Sequence, residues 1–162
     1  PFITAANGLG VGIGMTIHGV ADLVFMAESA KFRAPFSSLG LTAEAASTYT
    51  FSRLLGHQKA SWALLSGEWF TARECLAMGL ALEVIPDDKL MQIVYEKAAQ
   101  LAALPLASLM QTKKLMVAPH VEAMKSAVYE EAVGLETLAG GPANVEAIDA
   151  FLNKRDPDFS NS

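Results

Sequence analysis

The chain has 162 residues, 52% of them hydrophobic and 18% charged, with a net charge of −5. The length suits one domain, the composition suits a packed core rather than a disordered chain, and the acidic balance leaves no basic footprint for nucleic acid. One cysteine, Cys75, and three scattered histidines, His18, His57 and His120, offer neither a disulfide nor metal-ligand spacing, and no run of about 18 apolar residues marks a membrane span.

In chain order, Phe2–Ala6 reads as a short buried strand. Pro1 stands directly on it with no initiator methionine, which reads as a piece of a longer protein. The strand enters "NGLGVGIGMT", with glycine at 8, 10, 12 and 14. A dinucleotide loop needs glycine at i, i+2 and i+5. Counted from Gly8, Gly10 and Gly12, the last place falls on Ile13, Met15 and Ile17. No Gly-Lys-Ser/Thr ending follows, so a P-loop is excluded as well. What is left is a tight turn able to present its own N–H groups.

A helix is predicted over Gly14–Val20, then strands at Asp22–Ala27 and Lys31–Arg33. Helical periods follow at Ala46–Leu55, Gln58–Leu65 and Ala72–Met78, and a strand at Leu82–Ile85. Thr71 and Glu74 have capping-box spacing ahead of the third helix, and Gly79 stops it. From Asp87 onward the pattern is wholly helical, with predicted helices from Leu90, from Pro105 to Val117, from His120 to Leu138 and from Ala143 to Asn153. Lys113-Lys114 reads as a solvated helix face. The apolar surface of this tail needs a cover, which points to self-association.

Glu44 is the only acid in "APFSSLGLTAEAASTYT", residues 34–50. So apolar a setting disfavours the anion and suits a carboxyl group to proton transfer. The same residue also reads as a plain first-turn helix acid, with Thr42 as N-cap. Composition alone leaves both open.

"ITAANGLGVGIGMT", Ala21-Asp22, "AKFRAPFSSLGL", "ALLSGEWFTARECLAMGLALEVIPDDKL" and "NVEAIDAFLNKRDPDF", taken in order, resemble the crotonase (enoyl-CoA hydratase/isomerase) superfamily. The resemblance implies an α/β fold. Residues 1–86 would be the second part of a spiral of β-β-α turns, and residues 87–162 a C-terminal helical oligomerisation region. It also implies that the glycine turn supplies one N–H of an oxyanion hole, that of Ile13 between Gly12 and Gly14. The partner N–H in the family comes from an earlier loop. Glycines kept only for tight strand–helix packing are the other reading of this turn.

The two glutamates of the family's hydratases fall here on Thr16 and Phe36. "PFSSLGLTAEAASTYTF" instead resembles the peroxisomal-type 3,2-enoyl-CoA isomerases, whose single glutamate falls on Glu44. The resemblance therefore implies isomerisation of 3-enoyl-CoA to 2-enoyl-CoA, with Glu44 as proton shuttle. Phe32, Phe36, Leu39 and Leu41 are candidates for the acyl-pocket wall, and each also reads as plain core. No metal or redox cofactor is implied, CoA being part of the acyl-CoA thioester substrate. A homotrimer or trimer-based assembly is expected. The alternatives are an enoyl-CoA hydratase or other crotonase-type reaction, and an inert fragment that only folds and assembles. A bacterial source would imply a cytoplasmic enzyme; the ending Phe159-Ser160-Asn161-Ser162 does not match the common peroxisomal signal.

Overall fold

The computed structural model describes residues 1–160. Six short strands form two three-stranded sheets. The first sheet is parallel, in the order β1 (Ile3–Ala6), β3 (Leu23–Ala27), β6 (Glu83–Ile85). In the second, β2 (Leu9–Val11) runs parallel to β4 (Lys31–Arg33), and β4 pairs antiparallel with β5 (Trp69–Thr71). Consecutive strands alternate between the sheets: β1 to β2, then β3 to β4. The chain thus winds in repeated two-strand turns, and the strand–helix mixture is the α/β class that the sequence predicts.

Helices close each turn. After β2 comes α1 (Ile13–Thr16), continued by a 3-10 turn at Ile17–Val20. After β4 a 3-10 turn at Ser37–Leu39 leads through a loop to α2 (Ser47–Leu55) and α3 (His57–Leu65). β5 leads directly into α4 (Ala72–Met78), whose Thr71 cap accepts from the Glu74 N–H and whose Glu74 carboxylate accepts from the Thr71 N–H. Then follow α5 (Leu90–Ala102), α6 (Leu106–Val117), a 3-10 turn at Ala118–His120, α7 (Val121–Leu138) and α8 (Pro142–Leu152).

The core lies between the sheets and helices α1 to α5, around Phe25, Phe32, Phe51, Met15 and Met26. Helix α5 begins the helical tail yet sets Leu90 and Val94 into this core. Helix α6 buries none of its residues. No helix among the described residues is long and apolar enough to cross a membrane.

Two strands depart from the sequence reading. β2 occupies what reads as a glycine turn. Its central Gly10 is buried opposite Phe32, and a Cβ there would lie 2.6 Å from both the Gly14 carbonyl and the Phe32 ring. Only glycine fits this crossing. β5 is three residues long and owes its form to pairing with β4, which no local period announces. The helix predicted over Gly14–Val20 is one α turn followed by one 3-10 turn.

Candidate active site

The glycine turn brings β2 into α1. Gly12 holds φ 58 and ψ −118, a conformation that side chains resist. Its N–H donates to the Arg33 carbonyl of β4 at 2.9 Å. Its carbonyl accepts the N–H groups of Met15 at 2.8 Å and Thr16 at 3.0 Å. The turn is therefore fixed on both sides. The N–H groups of Ile13 and Gly14 open the helix, and helix geometry gives them no acceptor within it. A Cβ at Gly14 would meet nothing within 4 Å, so packing does not require glycine there.

Glu44 arrives from the loop after β4. A Cβ built on Gly12 would lie 3.9 Å from Glu44 Oε1 and 4.0 Å from Phe36 Cε1. The carboxylate, the turn and the phenyl ring thus converge, although Gly12 and Glu44 are far apart in sequence. Among the described residues no group hydrogen-bonds the Glu44 carboxylate. Helix α2 begins only at Ser47, with Ala46 as N-cap and no acid in its first turn. Glu44 therefore precedes the helix, and Thr42 does not cap it.

The loop that carries Glu44 is fixed by the tail. The Asn144 side chain donates from Nδ2 to the Leu39 carbonyl at 2.8 Å. Glu131, buried on α7, accepts the Ala46 N–H at 2.7 Å and the Thr48 N–H at 3.0 Å. Neither residue stands out as a candidate in the sequence reading. The signal for Glu131 was present, since it falls on the inward stripe of α7 with Met124, Ala127 and Leu135.

The remaining candidates separate. Thr16 is fully buried and its hydroxyl donates back to the Gly12 carbonyl at 3.3 Å. Phe36 is buried beside the turn. Phe32 belongs to the core and borders a cavity of about 230 Å3 with Gly10, Gly14 and His18. Leu41 lines a different cavity of about 360 Å3 with Thr42, Leu64 and Leu138. Leu39 is half-buried, and its carbonyl is the Asn144 acceptor. Phe32 and Leu41 thus border different cavities.

His18 and Cys75 are titratable groups buried in or near the core. His18 Nδ1 is 3.2 Å from Thr4 Oγ1, its ring meets Phe32 edge-on, and its Nε2 has no partner. Burial pushes the imidazole down to about 4. Burial pushes the Cys75 thiol up to about 12, which leaves it unreactive at neutral pH. No group of three or more His, Cys, Asp or Glu gathers to hold a metal among the described residues.

A family model described as "Enoyl-CoA hydratase/isomerase" matches residues 1–162. The chain is 34% identical over 155 residues to "Enoyl-CoA delta isomerase 2" of Rattus norvegicus, covering 96% of this chain and 40% of that protein. It is 31% identical over 159 residues to "2,3-dehydroadipyl-CoA hydratase" of Escherichia coli (strain K12), covering 98% of this chain and 62% of that protein. The crystal structure of an enoyl-CoA hydratase/isomerase from Pseudoalteromonas atlantica T6c has a TM-score of 0.95 at 34% identity, covering 99% of this chain and 64% of that one. The chain thus spans less than two thirds of the length of each of these relatives.

Proposed function

The chain belongs to the enoyl-CoA hydratase/isomerase family, and from that premise we propose that it carries the proton-transfer half of an enoyl-CoA isomerase acting on 3-enoyl-CoA thioesters. Glu44 takes the proton from C2. The electron pair of that C–H bond delocalises into the thioester carbonyl and the adjoining double bond, giving a dienolate. The same carboxyl group returns the proton to C4, and the double bond moves from C3–C4 to C2–C3. The Ile13 N–H is one donor to the oxygen that gains charge. Such a preorganised donor contributes about 10²–10³ in rate.

The observation that carries this reading is the approach of Glu44 to the Gly12 turn, with its Oε1 3.9 Å from where a Cβ on Gly12 would stand. One carboxylate is enough for a 1,3 proton shift, since the group that takes the proton from C2 is the one that returns it to C4. Adding water by two carboxylates is a poorer match. The positions that correspond to the hydratase glutamates hold Thr16, whose hydroxyl is engaged by the backbone, and Phe36. The E. coli relative named as a hydratase is the reason to assay both reactions. The substrate's own CoA moiety is the only cofactor chemistry the proposal uses, and the assembly is proposed to be a homotrimer or trimer-based.

The test is Glu44→Gln in the full-length enzyme, followed by conversion of 3-enoyl-CoA to 2-enoyl-CoA and by hydration of 2-enoyl-CoA. Isomerisation should fall about 10²–10⁴-fold, the range of a lost general acid–base. Isomerase activity within a few-fold of wild type would overturn the assignment.

A further inference from the structure

We infer that Glu131 is a positioning residue, which from α7 holds Ala45 and Ala46 in the left-handed backbone region and so fixes Glu44 against the Gly12 turn. The inference rests on the reading of Glu44 as the base.

Ala45 and Ala46 have φ of 60° and 57°, two consecutive positive values at residues that carry a Cβ. Alanine takes this region only when its surroundings impose it. Among the described residues, the only local support is the Ser47 N–H, which donates to the Glu44 carbonyl at 3.1 Å and closes a turn over the two alanines. Ala46 is the N-cap of α2 and has no side-chain oxygen, and the first turn of α2 contains no acid. The exposed N–H groups of that helix end need acceptors, and the positive end of the helix favours an anion.

Glu131 supplies both from 85 residues away. Its Oε2 accepts the Ala46 N–H at 2.7 Å, and its Oε1 accepts the Thr48 N–H at 3.0 Å and the Thr48 hydroxyl at 2.7 Å. Glu131 is 4% exposed. Its acceptors are thus used on the two residues that bracket the start of α2, immediately after Glu44. Gly134, one turn further along α7, lets the helix come this close: a Cβ there would stand 2.8 Å from Thr42 Cγ2. The contact is therefore built from both sides of Glu44, with Thr42 pressed against Gly134 and Ala46 bonded to Glu131.

The experiment uses the full-length enzyme with a 3-enoyl-CoA substrate. Glu131→Gln keeps the shape but removes the charge and one acceptor. We expect kcat to fall about 10-fold or more while KM stays within about 3-fold, because the base is displaced and the thioester site is not. In the Ala46→Gly background the same substitution should cost only a few-fold, since glycine adopts the left-handed conformation unaided. Faster amide hydrogen exchange at residues 44–48 should accompany the loss. Thr48→Val, which deletes one donor to the same carboxylate, gives a milder decrease of a few-fold and serves where Glu131→Gln does not fold. Unchanged kcat in Glu131→Gln, with Glu44→Gln strongly impaired, overturns the clamp and leaves the base assignment standing. A loss that Ala46→Gly does not relieve makes Glu131 merely structural and also overturns the inference. Full activity in both Glu44→Gln and Glu131→Gln overturns the base assignment and the positioning role with it.

Discussion

Glu44 and Gly12 meet through folding alone, and each is legible in the sequence for a different reason. The glycine spacing rules out a phosphate loop, and the acid stands by itself in an apolar stretch. Their convergence is not legible, because it depends on β2 pairing with β4 and on the loop that follows β4. His18 shows the opposite case, since nothing in its neighbours distinguishes it from a surface histidine, yet it is 4% exposed against Phe32. Burial holds its pKa near 4, below the ordinary value of 6.5. Between those two values the unfolded chain binds a proton that the folded chain does not, so stability falls as pH drops from about 6.5 to about 4. The full loss is on the order of 3 kcal/mol, from about 1.4 kcal/mol for each pH unit of displacement. Urea unfolding at a series of pH values checks this. His18→Gln should flatten the slope across that window whatever its effect at pH 7, and an unchanged slope would assign the acid sensitivity to other groups.

At the scale of elements, the strongest local signals gave the best boundaries. Helix α4 runs Ala72–Met78 as predicted, because Thr71, Glu74 and Gly79 specify both ends chemically. Hydrogen bonds from the Thr71 N–H and hydroxyl hold the Glu74 carboxyl below its ordinary value. Thr71→Ala should cost about 1 kcal/mol, or about 2–4 °C in Tm for a chain of this size. Scanning calorimetry reads this directly, and a shift below about 0.5 °C would mean that the cap contributes nothing measurable. Strands β2 and β5 escaped the sequence reading for one shared reason. Each is three residues long, and each is defined by its partner β4 rather than by its own pattern. Helix α2 is the intermediate case. Its period and, to within one residue, its start at Ala46 are readable, but the acceptor for the Ala46 and Thr48 N–H groups is not, since it lies on α7.

Across the whole molecule, apolar surface exceeds what this chain covers. Leu106, Met110, Leu115 and Met116 on α6 are each more than 60% exposed, as are Trp62 and Leu65 on α3. Among the described residues, only the Lys113–Asp22 ion pair, at 2.5 Å, adds a polar tie between α6 and the strand layer. Exposed pairs of this kind contribute about 0–1 kcal/mol, so apolar contact between copies is the expected means of covering α6. Sedimentation of the purified protein should show a trimer or a multiple of one, and Met110→Glu with Leu106→Glu should shift it toward smaller species. A stable monomer at micromolar concentration would defeat the expectation. The order in which the parts become available has a further consequence. The central hydrophobic cluster draws its residues from Met15 to Val94, whereas the two anchors of the Glu44 loop come at Glu131 and Asn144, the latter 105 positions after its acceptor. A ribosome therefore releases the whole of that central cluster well before it releases what sets the loop. Packing of that cluster can be finished while the proposed site is still waiting for α7 and α8, and a chain cut short after α6 would keep the cluster beside a Glu44 loop that lacks both of its anchors.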